Sequence, residues 1–203
     1  MSVRIVLATG NRGKVAEVRR ILAGLAIELV PMTDLGLEPP EETGETFEDN
    51  ALLKARAAAA ATGLPAIADD SGLEVDALGG APGVISAEYA GPSRDDVANL
   101  RRVLAELEDV DEPQRTARFV SAAALVAPDG RHWVRRGTME GRMAREPRGS
   151  GGFGYDPAFV AQGETRTNAQ LAPEEKDARS HRGAAFRALA PAVEEFLATT
   201  GEE

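Results

Sequence analysis

The stretch Ala66–Gly72 reads Ala-Ile-Ala-Asp-Asp-Ser-Gly and passes from apolar residues to two carboxylates within a few positions. Pro65 precedes it, so the pattern predicts a buried strand that begins cleanly after a helix. We expect the C-terminal end of this strand to open into a site, because ligands in open α/β sheets collect at that end. The alternative is an ordinary turn, since Asp, Ser and Gly all favour turns.

Alternation along a strand separates the two neighbouring carboxylates. Asp70 shares a face with Ala66 and Ala68, and these small side chains leave room for a ligand. Asp70 is therefore the candidate for chemistry. Asp69 shares the opposite face with Ile67, and we predict that it holds neighbouring backbone.

Composition limits the class of protein. With 203 residues, of which 43% are apolar, the chain suits a single globular domain spanning residues 1–203. It has no cysteine, which excludes disulfides and thiolate chemistry. Without an apolar run of membrane-spanning length or a signal-peptide core, we expect a cytoplasmic protein and no membrane partner. The net charge of −10 argues against nucleic acid as a partner but allows a small anion in a locally basic pocket.

Lysine is scarce in this chain. The 23 basic residues include three lysines, Lys14, Lys54 and Lys176. A compact ammonium is often used on phosphates, so lysine at these positions favours phosphate contacts. Chance is the competing explanation.

A turn after the first predicted strand, Val3–Ala8, combines polar groups with glycines: Thr9-Gly10-Asn11-Arg12-Gly13-Lys14. A helix follows, so free backbone N–H groups and the positive helix end point at one spot, which suits a phosphate. The turn is neither a P-loop nor a dinucleotide fingerprint, because Ala8 and Arg12 stand where those motifs need glycine. An ordinary strand-to-helix turn is the alternative.

A second strand, Ile27–Met32, leads into an acidic loop over Thr33–Glu45 and a helix over Phe47–Thr62. The loop either is solvated or carries a carboxylate to a divalent ion. Asn50 and Lys54 lie one helical turn apart on a shared face. We predict that Lys54 faces the site and binds substrate; a solvated helix face is the alternative.

The middle of the chain predicts a strand over Ile85–Ala90 and a helix from Ser93 to about Leu107. Two longer runs, Thr116–Val126 and His132–Met143, flank Pro-Asp-Gly, which is typical of a β-hairpin. The pattern therefore indicates an antiparallel hairpin attached to a doubly wound α/β core.

A glycine-rich segment with aromatic residues occupies Arg148–Pro157. Glycines let backbone approach a ligand, and Phe153 and Tyr155 offer faces that can stack on a base. Alternatively, these aromatic side chains fill the core. Further along, His181 and Arg182 open the last helix, where cations are unfavourable unless an anion lies near. Carboxylates beside phosphate binders suggest Mg²⁺, aromatics suggest a base, and a nucleoside triphosphate fits both.

Six motifs follow one another along the chain: Thr9-Gly10-Asn11-x-Gly-Lys14, Glu41-Glu42-Thr43-Gly44, Phe47-x-x-Asn50-Ala51-x-x-Lys54-Ala55, Ala68-Asp69-Asp70-Ser71-Gly72-Leu73, Gly151-Gly152-Phe153-Gly154-Tyr155-Asp156, and Glu175-Lys176 with Ser180-His181-Arg182-Gly183. From about Val3 to the last helix, and in the same order, they resemble the motifs of the inosine/xanthosine triphosphate pyrophosphatases, also called XTP/dITP diphosphatases. The resemblance implies a mixed α/β fold with an elongated central sheet, flanking helices and an active-site cleft between two lobes, usually in a homodimer. It also implies Mg²⁺-dependent hydrolysis of ITP, dITP and XTP to the monophosphate and pyrophosphate.

The resemblance assigns roles to residues of this sequence. Thr9–Lys14 binds the triphosphate, Glu41 and Asp70 ligate Mg²⁺, and Asp70 is also the general base. Gln170 stands where the family often has Glu, which puts in doubt a salt bridge at that position. The other implied nucleotide contacts are Ser71, Phe153, Gly154, Tyr155, Asp156, Lys176, His181 and Arg182. Two other functions stay open: a pyrophosphatase for modified pyrimidine nucleotides, and a nucleotide sensor without catalysis.

Overall fold

The computed structural model describes residues 2–200. Within them the chain forms six strands and five α-helices, in the order β1 (Val3–Leu7), α1 (Arg12–Ile21), β2 (Ile27–Pro31), α2 (Phe47–Thr62), β3 (Ala66–Val75), α3 (Asp96–Glu106), β4 (Thr116–Val126), β5 (His132–Met143), β6 (Phe159–Ala161), α4 (Pro173–Arg179) and α5 (His181–Thr200). None of these helices combines the length and the apolar character needed to cross a lipid bilayer.

The strands form one mixed sheet in the order β2-β1-β3-β4-β5-β6. β1 pairs in parallel with β2 and β3, whereas β5 and β6 are antiparallel. β1 is an interior strand, which explains its nearly continuous apolar sequence. The predicted mixed α/β class is confirmed. The hairpin of β4 and β5 is part of this sheet rather than an attachment to it.

The residues divide into two compact units. The first unit contains residues 2–70, Ser121–Gly137 and 182–200, and the second contains Ser71–Val120 and Thr138–His181. Strands β3, β4 and β5 each contribute residues to both units. The single domain and the cleft between two lobes stay predictions.

The core of the first unit is built from the apolar stripes of α1 and α5 against β1. Val18 of α1 and Phe186 and Leu189 of α5 are fully buried, as are Ile5 and Leu7 of β1. Burying each such side chain contributes roughly 1.5–3 kcal/mol. Helix α5 remains one helix across Pro191, although proline at that position suggests a kink.

Helix ends follow their capping residues. Helix α2 begins after Thr46, whose hydroxyl accepts from the N–H of Asp49 at 3.1 Å, and it ends at Gly63 with a φ of 67°. These bounds agree with the prediction. Helix α1 begins at Arg12, because the side chain of Asn11 caps it by accepting from the N–H of Lys14 at 3.1 Å.

Two local predictions are wrong. The strand expected over Ile85–Ala90 is instead a 3₁₀ helix, Gly83–Glu88. Its cause is Ser86, whose hydroxyl donates to the carbonyl of Gly83 at 2.6 Å and so favours a turn over a sheet ladder. The helix expected from Ser93 begins at Asp96, capped by Asp95, which accepts from the N–H groups of the first turn.

Candidate active site

Asp69 and Asp70 lie on β3 just beyond the point where β1 ends. Leu7 is opposite Ile67 in the parallel pairing, and the N–H of Ala8 donates to the carbonyl of Ile67 at 2.8 Å. The carboxylates therefore lie beside the turn that follows β1. We expected them at the C-terminal end of their own strand, but β3 continues to Val75, and it is β1 whose carboxyl end lies at the site.

Asp69 is fully buried and pairs with two cations. Its Oδ2 lies 3.2 Å from Nζ of Lys14 and accepts from Nε of Arg182 at 3.0 Å. Burial opposes its ionisation, but Arg182, Lys14 and Lys54 outweigh that cost and lower the pKa of Asp69 below its usual range. The prediction that Asp69 holds backbone is wrong: its partners among residues 2–200 are side chains.

Asp70 has a different environment from its neighbour. Its Oδ1 accepts from Nζ of Lys54 at 3.0 Å, and its Oδ2 accepts from Nδ2 of Asn50 at 3.2 Å. Burial raises the pKa of Asp70, and the opposing effects of Lys54 and Lys14 do not cancel this rise. The two adjacent carboxylates thus differ in the direction of their pKa shifts, and Asp70 is the one that retains affinity for a proton.

Lys54 joins the acidic loop to β3. Its side chain is buried, which excludes the solvated alternative, and it donates to Glu42 as well as to Asp70. Burial works against its charge, yet the two carboxylates outweigh burial and raise the pKa of Lys54. Glu41, the predicted metal ligand, is exposed, and its neighbour Glu42 is the loop carboxylate that contacts Lys54. The sequence interpretation did not select Glu42.

The acidic loop is also fixed by Asn50, whose Oδ1 accepts from the N–H of Gly44 at 2.7 Å. A Cβ at Gly44 would lie 2.7 Å from that same oxygen, so glycine is required there. Asn50 therefore connects the loop to Asp70, and the predicted shared face of Asn50 and Lys54 is confirmed.

Arg182 is 2% exposed and pairs with Glu17 of α1 in addition to Asp69. The anion that a cation at a helix N-terminus requires is thus supplied by two carboxylates of the protein. Sequence reasoning missed Glu17. Its position three residues after Lys14, on the same helix face, is the signal that could have found it.

The turn over Thr9–Lys14 has the geometry expected for binding an anion. The hydroxyl of Thr9 accepts from the N–H of Asn11 at 3.2 Å, which shapes the turn. The N–H groups of Arg12 and Gly13 open helix α1 and have no helical acceptor. Burial lowers the pKa of Lys14 more than Asp69 raises it.

A second cluster lies in the second unit and contains Phe153, Asp156 and Lys176. Nζ of Lys176 lies 2.5 Å from Oδ2 of Asp156 and 4.8 Å from the centre of the Phe153 ring. The ammonium thus lies over one face of the ring. Gly154 adopts a φ of 60° and donates its N–H to Asp96 at 3.0 Å.

The remaining predicted contacts of the second unit are less accessible. Tyr155 belongs to the apolar core, and its hydroxyl donates to the carbonyl of Ser86 at 2.7 Å. Burial raises the pKa of Tyr155. His181 is buried and stacks on Phe119 with ring centres 4.8 Å apart. Tyr155 therefore fills the core, as the alternative interpretation of the aromatic residues expected, whereas Phe153 is partly exposed. Ser71 on β3 is also partly exposed.

The first unit supplies the oxygen ligands that a hard cation prefers, but not a complete cage. Among residues 2–200, no three carboxylate or histidine side chains are arranged to hold a metal ion by themselves. The ion pairs of this cluster join four carboxylates to three cations: Glu17, Glu42, Asp69 and Asp70 to Lys14, Lys54 and Arg182.

The sequence model described as the Ham1 family matches residues 5–192. The chain belongs to the Ham1 family. A relative from Streptomyces avermitilis named dITP/XTP pyrophosphatase is 54% identical over 198 residues, which cover 96% of this chain and 98% of the relative. A relative of the same name from Mycobacterium bovis is 55% identical over 194 residues, with 94% and 95% covered.

Solved Ham1 structures share the fold. A HAM1 protein from Coxiella burnetii is 46% identical and superposes with a TM-score of 0.85, covering 95% of this chain and 99% of that one. A protein from Mycobacterium abscessus, named nucleoside-triphosphatase / dITP/XTP pyrophosphatase, is 51% identical with a TM-score of 0.74, covering 94% and 98%.

Proposed function

We propose that this Ham1 protein hydrolyses dITP, ITP and XTP to the nucleoside monophosphate and pyrophosphate, which removes deaminated purines from the nucleotide pool. Relatives named dITP/XTP pyrophosphatase, at 54–55% identity over nearly the whole chain, support this activity. The structural observation that carries it is the pair Asp69 and Asp70, of which one holds Lys14 and the other is suited to accept a proton.

Asp70 is the general base in this proposal. A water molecule attacks the α-phosphorus, Asp70 takes a proton from that water, and the bond between the α-phosphorus and the bridging oxygen of pyrophosphate breaks. A carboxylate base contributes typically ~10²–10⁴-fold, and it works best when its pKa is raised toward the operating pH. The buried position of Asp70 has that effect.

The triphosphate is bound by the first unit. Lys14 and the free N–H groups of Arg12 and Gly13 offset the negative charge of its oxygens. Asp69 orients Lys14, and Arg182 in turn neutralises Asp69. Lys54 provides a further cation beside Asp70.

The donor set of the first unit fits Mg²⁺. This ion is usually bound through one or two carboxylates together with substrate phosphates, so a site with few protein ligands is what it requires. Asp70 and Glu41 are the predicted ligands. Glu42 is a third candidate, because Lys54 contacts both Glu42 and Asp70 and so places these two carboxylates near each other. When bound, Mg²⁺ offsets phosphate charge and lowers the pKa of the attacking water.

The nucleobase is bound by the second unit. Phe153 offers a ring for stacking, and Lys176 offers a donor. The N–H groups of the glycine-rich loop are less suited to this role, because those of Gly151, Phe153 and Gly154 donate to other protein groups. Hypoxanthine and xanthine present an acceptor at O6, whereas adenine presents a donor there. A site that requires this hydrogen bond rejects the wrong base by ~10⁴-fold or more. The resemblance implies Arg182 as a nucleotide contact, but its pairs with Glu17 and Asp69 favour the role of holding Asp69.

Product analysis tests the reaction. Phosphorus NMR of ITP incubated with the enzyme and Mg²⁺ should show IMP and pyrophosphate appearing together, and a chelator should stop the reaction. Appearance of IDP and inorganic phosphate would contradict the proposal. Nucleotide binding without any turnover would favour the sensor.

A substrate panel tests the class of base. We expect kcat/KM to be highest for ITP and XTP and lowest for ATP at one Mg²⁺ concentration. GTP shares O6 and N1–H with ITP, so its exclusion depends on its 2-amino group. If kcat/KM for ATP or GTP comes within about tenfold of that for ITP, the discrimination is under ~1.4 kcal/mol, which contradicts a role in removing deaminated purines. Faster hydrolysis of a modified pyrimidine nucleotide would favour that alternative.

Assembly and location are part of the same proposal. The family resemblance favours a homodimer. Light scattering at micromolar concentration tests this state, and a monomer mass would contradict it. The cytoplasm is the expected location, because a pool-cleansing enzyme works where nucleoside triphosphates are used.

A further inference from the structure

A single carboxylate of the second unit receives hydrogen bonds from three separate segments. Asp156 is 2% exposed; its Oδ2 accepts from the N–H of Phe153 at 3.0 Å and from Nζ of Lys176 at 2.5 Å. Its Oδ1 accepts from Nδ2 of Asn168 at 3.1 Å. Both oxygens are engaged within the protein, so this carboxylate orders its neighbours.

The groups that Asp156 orders are those proposed to meet the base. The bond to the Phe153 backbone fixes the ring that follows it, and the bond to Lys176 fixes an ammonium over one face of that ring. One carboxylate thus sets the ring and the donor relative to each other.

Asn168 is the third partner and is 1% exposed. Its amide nitrogen donates to Asp156, while its Oδ1 has no hydrogen-bond partner among residues 2–200. Leaving a buried acceptor unpaired costs about 1–3 kcal/mol, so packing alone would be better served by an apolar residue. The presence of an amide here is explained by its bond to Asp156.

The segment that carries Asn168, residues 167–170, braces the glycine-rich loop; we call it the brace. The hydroxyl of Thr167 donates to the carbonyl of Arg148 at 2.6 Å, and the N–H of Gly151 donates to the carbonyl of Ala169 at 3.0 Å. The brace therefore holds the loop by its backbone at two points besides the bond to Asp156.

Two glycines of the loop lie so close to other protein groups that a side chain would not fit. A Cβ at Gly149 would lie 2.5 Å from the carbonyl oxygen of Ala169, and one at Gly152 would lie 2.2 Å from Oδ2 of Asp156. From the sequence we expected these glycines to admit a ligand. In the structure, Gly149 leaves room for the carbonyl of Ala169 and Gly152 leaves room for the carboxylate of Asp156. Protein groups therefore order the loop before any ligand binds.

We propose that Asn168 is a positioning residue for the nucleobase, which acts through Asp156 on Phe153 and Lys176. This inference rests on the proposed function. A loop ordered in advance loses less conformational freedom on binding, so the brace strengthens base recognition without touching the base. The triphosphate groups of the first unit are not part of this arrangement.

Calorimetry of two ligands tests the inference. The variants are Asn168→Ala and Asn168→Leu, which approximately keeps the size of the side chain but removes the donor toward Asp156. Each is titrated with IMP and with inorganic tripolyphosphate, and kcat and KM are measured for ITP. We expect IMP affinity to fall roughly tenfold, the effect of one hydrogen bond to a charged group, and KM to rise more than kcat falls. Tripolyphosphate affinity should stay within twofold.

Thr165→Ala is the matched control, because Thr165 is exposed beside the brace and Arg148 contacts only its backbone carbonyl. The control should match the wild type with both ligands. The inference is overturned if both Asn168 variants bind IMP within twofold of the wild type, if they lose both ligands equally, or if neither folds. Failure of the wild type to convert ITP into IMP and pyrophosphate would instead overturn the proposed function.

Discussion

The two units neutralise their buried carboxylates in different ways. In the first unit, Asp69 and Asp70 belong to a network in which four carboxylates share three cations. In the second, Asp156 has one cation, Lys176, and otherwise accepts from an amide and a backbone N–H. The ion pairs of the first unit lie beside the turn that is predicted to bind phosphate, whereas the hydrogen bonds to Asp156 hold a loop. We infer that charge chemistry belongs to the first unit and base recognition to the second.

Among these variants, replacing Asp69 should have the largest effect, a loss of stability that comes from the ion pairs of the first unit. Asp69→Asn removes the carboxylate that Lys14 and Arg182 share. Arg182 keeps Glu17, whereas Lys14 loses its partner, and breaking a buried pair in this way costs ~3–5 kcal/mol. Urea unfolding of the variant and the wild type would measure the loss. A loss below about 1 kcal/mol would show that the network tolerates an unpaired cation.

The loss at Asp69 should depend on pH in a defined direction. The folded pKa of Asp69 is lowered, so its stabilising contribution is present above the unfolded pKa of about 3.9 and disappears as the pH falls toward the folded value. The difference in unfolding free energy between wild type and Asp69→Asn should therefore be full at pH 7 and shrink below about pH 4.

Replacing Asp70 should separate catalysis from stability. Asp70→Asn is nearly isosteric, and Lys54 keeps Glu42 as a partner, so the protein should remain folded. The kcat for ITP should fall at least ~10²-fold because the base is lost. If activity stays within threefold in this variant while Asp69→Asn abolishes it in folded protein, the roles of the two carboxylates are reversed.

Replacing Lys14 and Lys176 one at a time should separate phosphate binding by the first unit from base binding by the second. Lys14→Ala should weaken tripolyphosphate binding by roughly 1.5–3 kcal/mol, the size of a charged hydrogen bond, while Lys176→Ala should leave it unchanged and weaken IMP instead. Calorimetry with both ligands measures this crossover. Equal effects of the two variants on tripolyphosphate would contradict the division of roles.

The parts of the fold that the sequence predicted are those controlled by local chemistry. Thr46 and Gly63 fix the ends of α2, and Pro-Asp-Gly at 128–130 sets the turn between β4 and β5. In the site, alternation along β3 separated Asp69 from Asp70, because side-chain direction in a strand follows from position alone.

The parts that could not be predicted depend on distant partners. Arg182 meets Glu17 across 165 positions of sequence, so the spacing of Glu17 after Lys14 marks a helix face but not the partner on it. The choice of Glu42 over its neighbour Glu41 at Lys54 depends on the path of a loop held by Asn50. The strand predicted at Ile85–Ala90 failed because one serine hydroxyl stabilised a tighter turn.

Gln170 shows how a departure from a family pattern can be conservative in structure. We expected its neutral side chain to put a salt bridge in doubt. In the structure, its Oε1 accepts from the N–H of Thr167 at 3.0 Å as half of a capping box. That bond needs only an acceptor oxygen, which an amide supplies as well as a carboxylate does.

The scarcity of lysine has a practical consequence for chemical labelling. The side-chain amines of the chain number three, and their side chains are 14%, 5% and 7% exposed, each beside an aspartate of a predicted binding motif. Burial lowers the pKa of Lys14, which makes its amine the more nucleophilic near neutral pH. Because Lys14 also has the most exposed of the three side chains, we expect an acylating reagent to modify the turn over Thr9–Lys14, and an anion bound there should slow that modification.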